Sequence, residues 1–449
     1  MTLYQRLKQR KENPLRVGLI GAGKFGSMYL AQAHRTPGVH VAAIADLQVA
    51  RVHETLRRIG WPDDAHTASS VEAALAGRTC FVTDDAQRLI NVSELDVIIE
   101  STGHVSAAVD HALQAFDAGT HVIMVTVEAD ALVGPVLAAR AAAAGVIYSL
   151  AYGDQPALIC ELVDWARLSG FSVTCAGKGT KYLPEYHFST PDTVWGYYGF
   201  SDAQVATGDY NAPMFNSFLD GTKSAIEMAA VANALDLSPA SGGLGFPPSS
   251  VHELPQVCRP KGAGGALERS GTVEVVSSLR RDGSAIDQDL RWGVYVSFEA
   301  GHDYIERCFQ EYGIATDESG HYAVLYRPAH FIGLELGVSV ANVCLQGQPT
   351  GVAKDFNADV VAVAKRDLRP GDRLDGEGGY TAFGQVLPSA QSIAQDLLPI
   401  GMSHGLTVTG PVARGRPIRW AEVKGATGSR LGELRDQMSP APQPPGVTP

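Results

Sequence analysis

The sequence predicts an α/β fold: a doubly wound parallel sheet first, an α/β domain next, and a small β-rich module last. Three observations predict it. Through residues 1–150, short apolar runs alternate with Ala-rich helical stretches, the texture of βαβ units. A glycine-rich turn, Gly21-Ala22-Gly23-Lys24-Phe25-Gly26, joins the first apolar run to the first helix. After about residue 350 the chain turns to short strand-like runs divided by turn residues such as Asp367-Leu368-Arg369-Pro370-Gly371-Asp372.

Taken in order, Arg16–Ile20, Val39–Ala45, Val97–Ile99, Val122–Val127 and Val146–Leu150 read as strands buried on both faces. Ser106–Ala118 and Val133–Ala144 read as helices between them. Ile159–Leu168 then reads as a helix and Phe171–Cys175 as a strand. Residues 237–270, rich in Pro, Gly and Ser, read as a long excursion before strands at Thr272–Leu279 and Arg291–Phe298. Asp359–Ala364 is a strand-like run inside the last module, and the Pro-rich tail Ser439–Pro449 is expected to be disordered. The expected blocks are 1–150, 151–349, 350–425, and a largely disordered 426–449.

The 449 residues suffice for two or three buried cores, and 45% hydrophobic with 19% charged residues is a globular balance. A net charge of -12 argues against nucleic acid or an anionic membrane as partner, while leaving room for a local basic pocket. Six cysteines without CxxC spacing suggest neither a zinc site nor a disulfide framework. Met1–Arg16 lacks the apolar segment of a secretory signal, and no run of about 18 apolar residues occurs, so a cytoplasmic location is expected.

The glycine turn has the pattern GxGxxG in the context that gives it meaning, between a strand and a helix. Gly21 allows the tight turn, Gly23 leaves the backbone bare for a pyrophosphate, and Gly26 lets helix and strand approach closely. Lys24 and Phe25 open the helix whose N-terminal N–H groups favour phosphate. This is the dinucleotide-binding, or Rossmann, arrangement. Asp46 ends the second strand, twenty residues after Gly26, where a carboxylate accepts hydrogen bonds from the adenosine ribose and favours NAD. Arg51, just downstream, suits a 2′-phosphate, so NADP stays open. Ser101-Thr102-Gly103 and Glu128 follow later strands at the same carboxyl edge.

Three polar clusters beyond residue 150 are candidates for chemistry. Gly153-Asp154-Gln155-Pro156 follows the last parallel strand. Gly177-Lys178-Gly179-Thr180-Lys181-Tyr182 sets two lysines among small residues, a pattern suited to a phosphate or carboxylate. Asn216-Ser217-Phe218-Leu219-Asp220-Gly221-Thr222-Lys223-Ser224-Ala225-Ile226-Glu227 places Asp220, Lys223 and Glu227 at i, i+3, i+7, which on a continuous helix would share one face and support proton transfer. His187, His330 and Glu335 lack a metal-binding spacing.

These motifs together resemble the homoserine-dehydrogenase-like proteins that carry a C-terminal SAF domain. The residues that carry the likeness also include Ala151-Tyr152-Gly153-Asp154-Gln155-Pro156, Tyr326-Arg327-Pro328-Ala329-His330 and Leu398-Pro399-Ile400-Gly401. The group includes enzymes similar to 1-deoxy-D-xylulose 5-phosphate reductoisomerase, of isoprenoid precursor synthesis. The resemblance implies a nucleotide-binding domain, a catalytic domain that forms a homodimer, a SAF module over 350–425, and NADP or NAD as cofactor. It also implies a divalent metal, Mg or Mn, for which Asp154, Asp220 and Glu227 offer oxygen donors. True homoserine dehydrogenases carry an Asn-Lys pair where this chain has Val125-Thr126-Val127-Glu128.

The expected roles follow. Lys223 polarises a carbonyl or relays a proton, with Asp220, Glu227 and Asp154 beside it. Lys178, Lys181, Thr180 and Asn216 hold the substrate. Gly21, Gly23, Lys24, Phe25, Gly26, Asp46, Ser101, Thr102 and Gly103 hold the cofactor. The leading reading is an NAD(P)-dependent oxidoreductase or reductoisomerase acting on a small hydroxy-ketone or sugar-like substrate. The alternatives are a homoserine or sugar-acid dehydrogenase and a non-catalytic NAD-sensing or carbohydrate-binding protein.

Overall fold

The computed structural model describes residues 1–208, 210–425 and 430–438. They form two compact units, one of residues 1–161 with 330–354 and one of 162–329 with the described residues from 355 onward. The first unit contains a six-stranded sheet of β1 (Leu15–Ile20), β2 (Val39–Ala45), β3 (Phe81–Thr83), β4 (Val97–Glu100), β5 (His121–Met124) and β6 (Tyr148–Leu150). The order is β3-β2-β1-β4-β5-β6 and every pairing is parallel. The order reverses between β1 and β4, and the crevice at their carboxyl ends is where such sheets bind ligands.

Helices cover this sheet because small or apolar residues recur at helical spacing. In α1 (Lys24–Ala33) Gly26, Tyr29, Leu30 and Ala33 turn inward. In α2 (Val49–Arg58) Val52, Thr55 and Leu56 do so. In α3 (Val105–Asp117) the alanines at 108, 112 and 115 let the helix lie close to the strands. The expected strand Val122–Val127 is shorter than its apolar run: β5 ends at Met124, and α4 (Val127–Ala143) has already begun at Val127. Glu128 therefore sits in the first turn of a helix. α4 carries Pro135 and non-helical dihedrals at Val133, a break expected where proline meets the preceding turn. Residues 330–354 return to this unit, and Leu336, Val340 and Val343 join its core with Leu19, Tyr29 and Ile99. α5 (Gln155–Leu168) runs through the division between the units.

The second unit is built on a four-stranded mixed sheet, β10-β9-β7-β8, made of β7 (Ser172–Thr180), β8 (Thr272–Ser277), β9 (Val294–Glu299) and β10 (Tyr322–Arg327). β7 is parallel to β8 and antiparallel to β9. Two helices, α6 (Ala212–Leu219) and α7 (Thr222–Leu235), meet at Gly221, whose φ of +88° lies in the left-handed region. Every residue of α7 except Lys223 is buried. The helix packs on β7 and β8 and also on β11 (Ala358–Ala364) and β12 (Ala382–Pro388), an antiparallel pair. Thr222 and Asn233, eleven residues or about three turns apart, share the face turned to that pair. Thr222 Oγ1 accepts the Gly384 N–H at 2.8 Å, and the Asn233 side-chain oxygen accepts the N–H groups of Asn357 and Ala358.

The strands over 358–388, with a second small pair of β13 (Thr407–Val408) and β14 (Val423–Lys424), make up the expected C-terminal β-rich part. The units do not follow the expected divisions at 150 and 349. The first unit recovers 330–354, and the β-rich part is continuous with the second because it covers α7. Within the expected disordered tail, residues 430–435 form a helix, α8, whose Arg435 pairs with the buried Asp359. Residues 426–429 and 439–449 lie outside the described residues. No helix among the described residues is long and apolar enough to cross a membrane.

Candidate active site

The glycine turn has the geometry its sequence implies. Gly21 has φ +91°, and a Cβ there would lie 2.6 Å from the Ser101 carbonyl oxygen. A Cβ at Gly26 would meet the Gly21 oxygen at 2.5 Å, while one at Gly23 would meet nothing within 4 Å. The two outer glycines thus serve close packing, and the central one leaves an open cradle for a pyrophosphate. Lys24 is exposed and Phe25 half-buried at the helix start. Ser101 Oγ donates to the Ile20 and Gly21 carbonyls, fixing the turn onto β4.

Asp46 lies beside this turn. One carboxylate oxygen accepts the Ala22 N–H at 2.8 Å and the other the Gln48 N–H at 2.9 Å. Thr102 and Gly103 are exposed at the crevice edge. Both are held through Glu100, the last residue of β4. Its Oε1 accepts the Thr102 hydroxyl at 2.6 Å, and its Oε2 accepts the Thr126 hydroxyl at 2.5 Å. Thr126 Oγ1 in turn accepts the Gly103 N–H at 3.0 Å. Nearby, the Tyr148 hydroxyl donates to the fully buried Asp130, and burial raises the Asp130 carboxyl to about 7. Sequence reasoning passed over Glu100 and Asp130, because each reads as part of an apolar run.

In the second unit, Lys178 near the end of β7 forms a buried ion pair with Glu227 of α7. Gly177 and Gly179 flank it because any Cβ there would collide with the Glu274 and Leu290 backbones. Thr180 ends the strand and Lys181 follows it, both half-buried. The Lys181 ammonium donates to the Tyr197 carbonyl at 2.5 Å and lies 5.7 Å from the centre of the Tyr198 ring. Arg291 lies 6.0 Å from the same ring. Burial, and then the nearby Arg291, lower the Lys181 pKa.

The expected shared face of Asp220, Lys223 and Glu227 does not form. Gly221 breaks the helix, so Asp220 caps α6 while Lys223 and Glu227 belong to α7. Asp220, fully buried, pairs instead with Lys365 at 2.7 Å. Burial raises its pKa, and Lys365 with Thr222 pulls it back. Lys365 also donates to the Ser189 and Gly379 carbonyls. Asn216 is fully buried, with its amide spent on Ser189 and Gly378, so its side chain serves the fold and not a substrate. Asp154 is buried in the first unit, where its Oδ1 accepts the Gln155 N–H.

His187 is also committed. It donates from Nδ1 to the Asp220 carbonyl at 2.7 Å, accepts the Tyr182 hydroxyl at Nε2 at 2.9 Å, and stacks on Phe383. Burial lowers its pKa and favours this neutral form. A cavity of about 180 Å³ adjoins it, walled by Phe188, Phe246, Phe383 and Val386.

Residues 15–125 match the NAD-binding Rossmann fold of the GFO/IDH/MocA oxidoreductase family. Residues 153–336 match the catalytic domain of oxidoreductase DRL. The protein is an NAD(P)-dependent oxidoreductase. No curated protein matches this oxidoreductase in sequence. Among solved structures it is similar to a homoserine dehydrogenase from Thiobacillus denitrificans, at 14% identity over 80% of this chain and 84% of that one, with a TM-score of 0.40. It is also similar to a probable dehydrogenase from Thermotoga maritima, at 14% identity over 76% and 91%, with a TM-score of 0.39. A myo-inositol dehydrogenase from Corynebacterium glutamicum matches over 41% and 49%, at 14% identity and a TM-score of 0.28.

The expected metal fits this oxidoreductase poorly. Asp220 and Glu227 each already hold an ammonium group, and no group of three His, Cys, Asp or Glu residues is arranged for a metal among the described residues.

Proposed function

We propose that the oxidoreductase acts on a small, anionic hydroxy-ketone or sugar-like substrate, with 1-deoxy-D-xylulose 5-phosphate the first candidate. One observation carries the anionic part of this reading. Lys181 and Arg291 approach one Tyr198 ring, and the lysine is depressed first by burial and then by its repulsion from Arg291. A phosphate or carboxylate placed between them relieves that repulsion and gains charge-assisted hydrogen bonds. The resemblance in sequence supports the named candidate, and the SAF reading of 350–425 rests on that same resemblance.

The bound nicotinamide supplies the hydride. Lys223, the one residue of α7 that is not buried, donates the proton to the carbonyl oxygen as it gains charge. Lys178, held in its buried pair with Glu227, ties the end of β7 to α7. Gly21, Gly23 and Gly26 shape the pyrophosphate cradle, and Asp46 stands by the adenosine ribose. No step is assigned to a metal, because two of the three expected donors, Asp220 and Glu227, are already paired with lysines.

The test is loss of NADPH absorbance with 1-deoxy-D-xylulose 5-phosphate, with NADH in parallel and with or without magnesium or manganese. Oxidation is expected, and Lys223→Ala should slow it roughly 100-fold while cofactor affinity stays near wild type. No oxidation by protein that still binds the cofactor removes this substrate and turns the search to homoserine and sugar acids in the oxidative direction. Metal-dependent turnover would overturn the metal-free assignment of the residues.

A further inference from the structure

We propose that Glu100 is an electrostatic positioning residue of the cofactor crevice, whose buried carboxylate makes the protein bind oxidised NAD(P) more tightly than reduced NAD(P). Three observations carry it.

The first is place. Glu100 is the last residue of β4 and pairs in register with Ile20, the residue before Gly21. It therefore lies at the reversal of strand order, under the carboxyl edge where a dinucleotide binds. The second is burial. Glu100 is fully buried, so water screens its charge weakly. The third is its set of partners. Two hydroxyls, of Thr102 and Thr126, donate to it and stabilise charge without neutralising it. The His111 Nδ1 lies farther away, at 3.4 Å. The second buried carboxyl of this region, Asp130, stands across Tyr148, whose hydroxyl burial and both acids push well above its usual range.

The oxidised nicotinamide ring carries a positive charge that reduction removes. A fixed negative charge below the crevice favours the charged ring over the neutral one. Tighter binding of the oxidised form makes the bound couple a stronger reductant than the free couple, which suits reduction of a carbonyl. The proposal rests on cofactor binding alone and is independent of the substrate assignment.

The experiment is calorimetric titration of NAD⁺, NADH and their 2′-phosphorylated counterparts into wild type, Glu100→Gln and Thr126→Val. Wild type is expected to bind the oxidised form more tightly. Glu100→Gln should lose about 3- to 10-fold of that preference, chiefly through weaker binding of the oxidised form. Thr126→Val keeps the charge and loosens the loop, so both forms should weaken together with the wild-type ratio retained. Equal weakening of both forms in Glu100→Gln would show a purely structural clamp and overturn the proposal. Tighter binding of the reduced form by wild type would overturn it without any variant, which decides the matter even where Glu100→Gln does not fold. Failure of wild type to bind either form would instead remove the cofactor-site assignment beneath it.

Discussion

At the scale of single residues, buried charges dominate the second unit. Lys178 and Glu227 are both buried and paired, so removing one partner strands the other in a medium of low polarity. Lys178→Met should therefore destabilise the protein by about 3–5 kcal/mol, while the double change Lys178→Met with Glu227→Leu should recover much of the loss. Urea unfolding of wild type, Lys178→Met, Glu227→Leu and the double variant checks this, and strict additivity would mean that the pair is not coupled. Asp130 gives a pH signature. Its carboxyl is raised from 3.8 to about 7, so the folded chain keeps a proton that the unfolded chain releases across that interval. Stability must therefore fall as pH rises from about 4 to 7, by an amount on the order of a few kcal/mol. Glu274, buried and also raised to about 7, acts in the same direction. Asp130→Asn should flatten the decline without abolishing it. Denaturation midpoints at pH 5 and pH 8 measure both slopes, and an unchanged slope would show that Asp130 does not titrate there.

At the scale of elements, the turn between α6 and α7 decides which acids meet which bases. Gly221 occupies the left-handed region, and a Cβ there would lie 3.2 Å from His187 Cε1. Gly221→Ala should cost about 1–2 kcal/mol and lower the thermal midpoint. An unchanged midpoint would show that the turn relaxes freely. The i, i+3, i+7 spacing of Asp220, Lys223 and Glu227 was legible, but the conformation of Gly221 was not. Glycine allows both signs of φ, and nothing local selects the positive one. The glycine cradle at 21–26 was legible because its three requirements lie within six residues of one another.

At the scale of the whole molecule, the C-terminal strands complete the second unit. β11 and β12 cover α7, and Lys365 follows β11 directly to neutralise Asp220. A chain ending at residue 354 should therefore leave α7 partly uncovered and Asp220 buried without its cation. Its second unit should melt early or be cleaved quickly by protease, while the nucleotide-binding unit, which needs only residues up to 161 and 330–354, stays resistant. Equal protease resistance of the shortened chain would show that 355–425 contributes little to the second unit.

The sequence by itself determined the order of the parallel strands' apolar runs, the nucleotide-binding turn, the acid that follows β2, and the change to a β-rich texture near 350. Each of these depends on neighbours within about twenty residues and on the periods of helix and strand. Tertiary structure alone decided that Asp220 answers to Lys365, that Glu227 answers to Lys178, that Asn216 serves the fold, and that Glu100 underlies the crevice. Glu100 and Thr126 stand 26 positions apart, Lys178 and Glu227 49, Asp220 and Lys365 145, and Asn216 and Gly378 162. A buried charge takes whichever partner the packing of distant segments brings to it, and no local period records that choice.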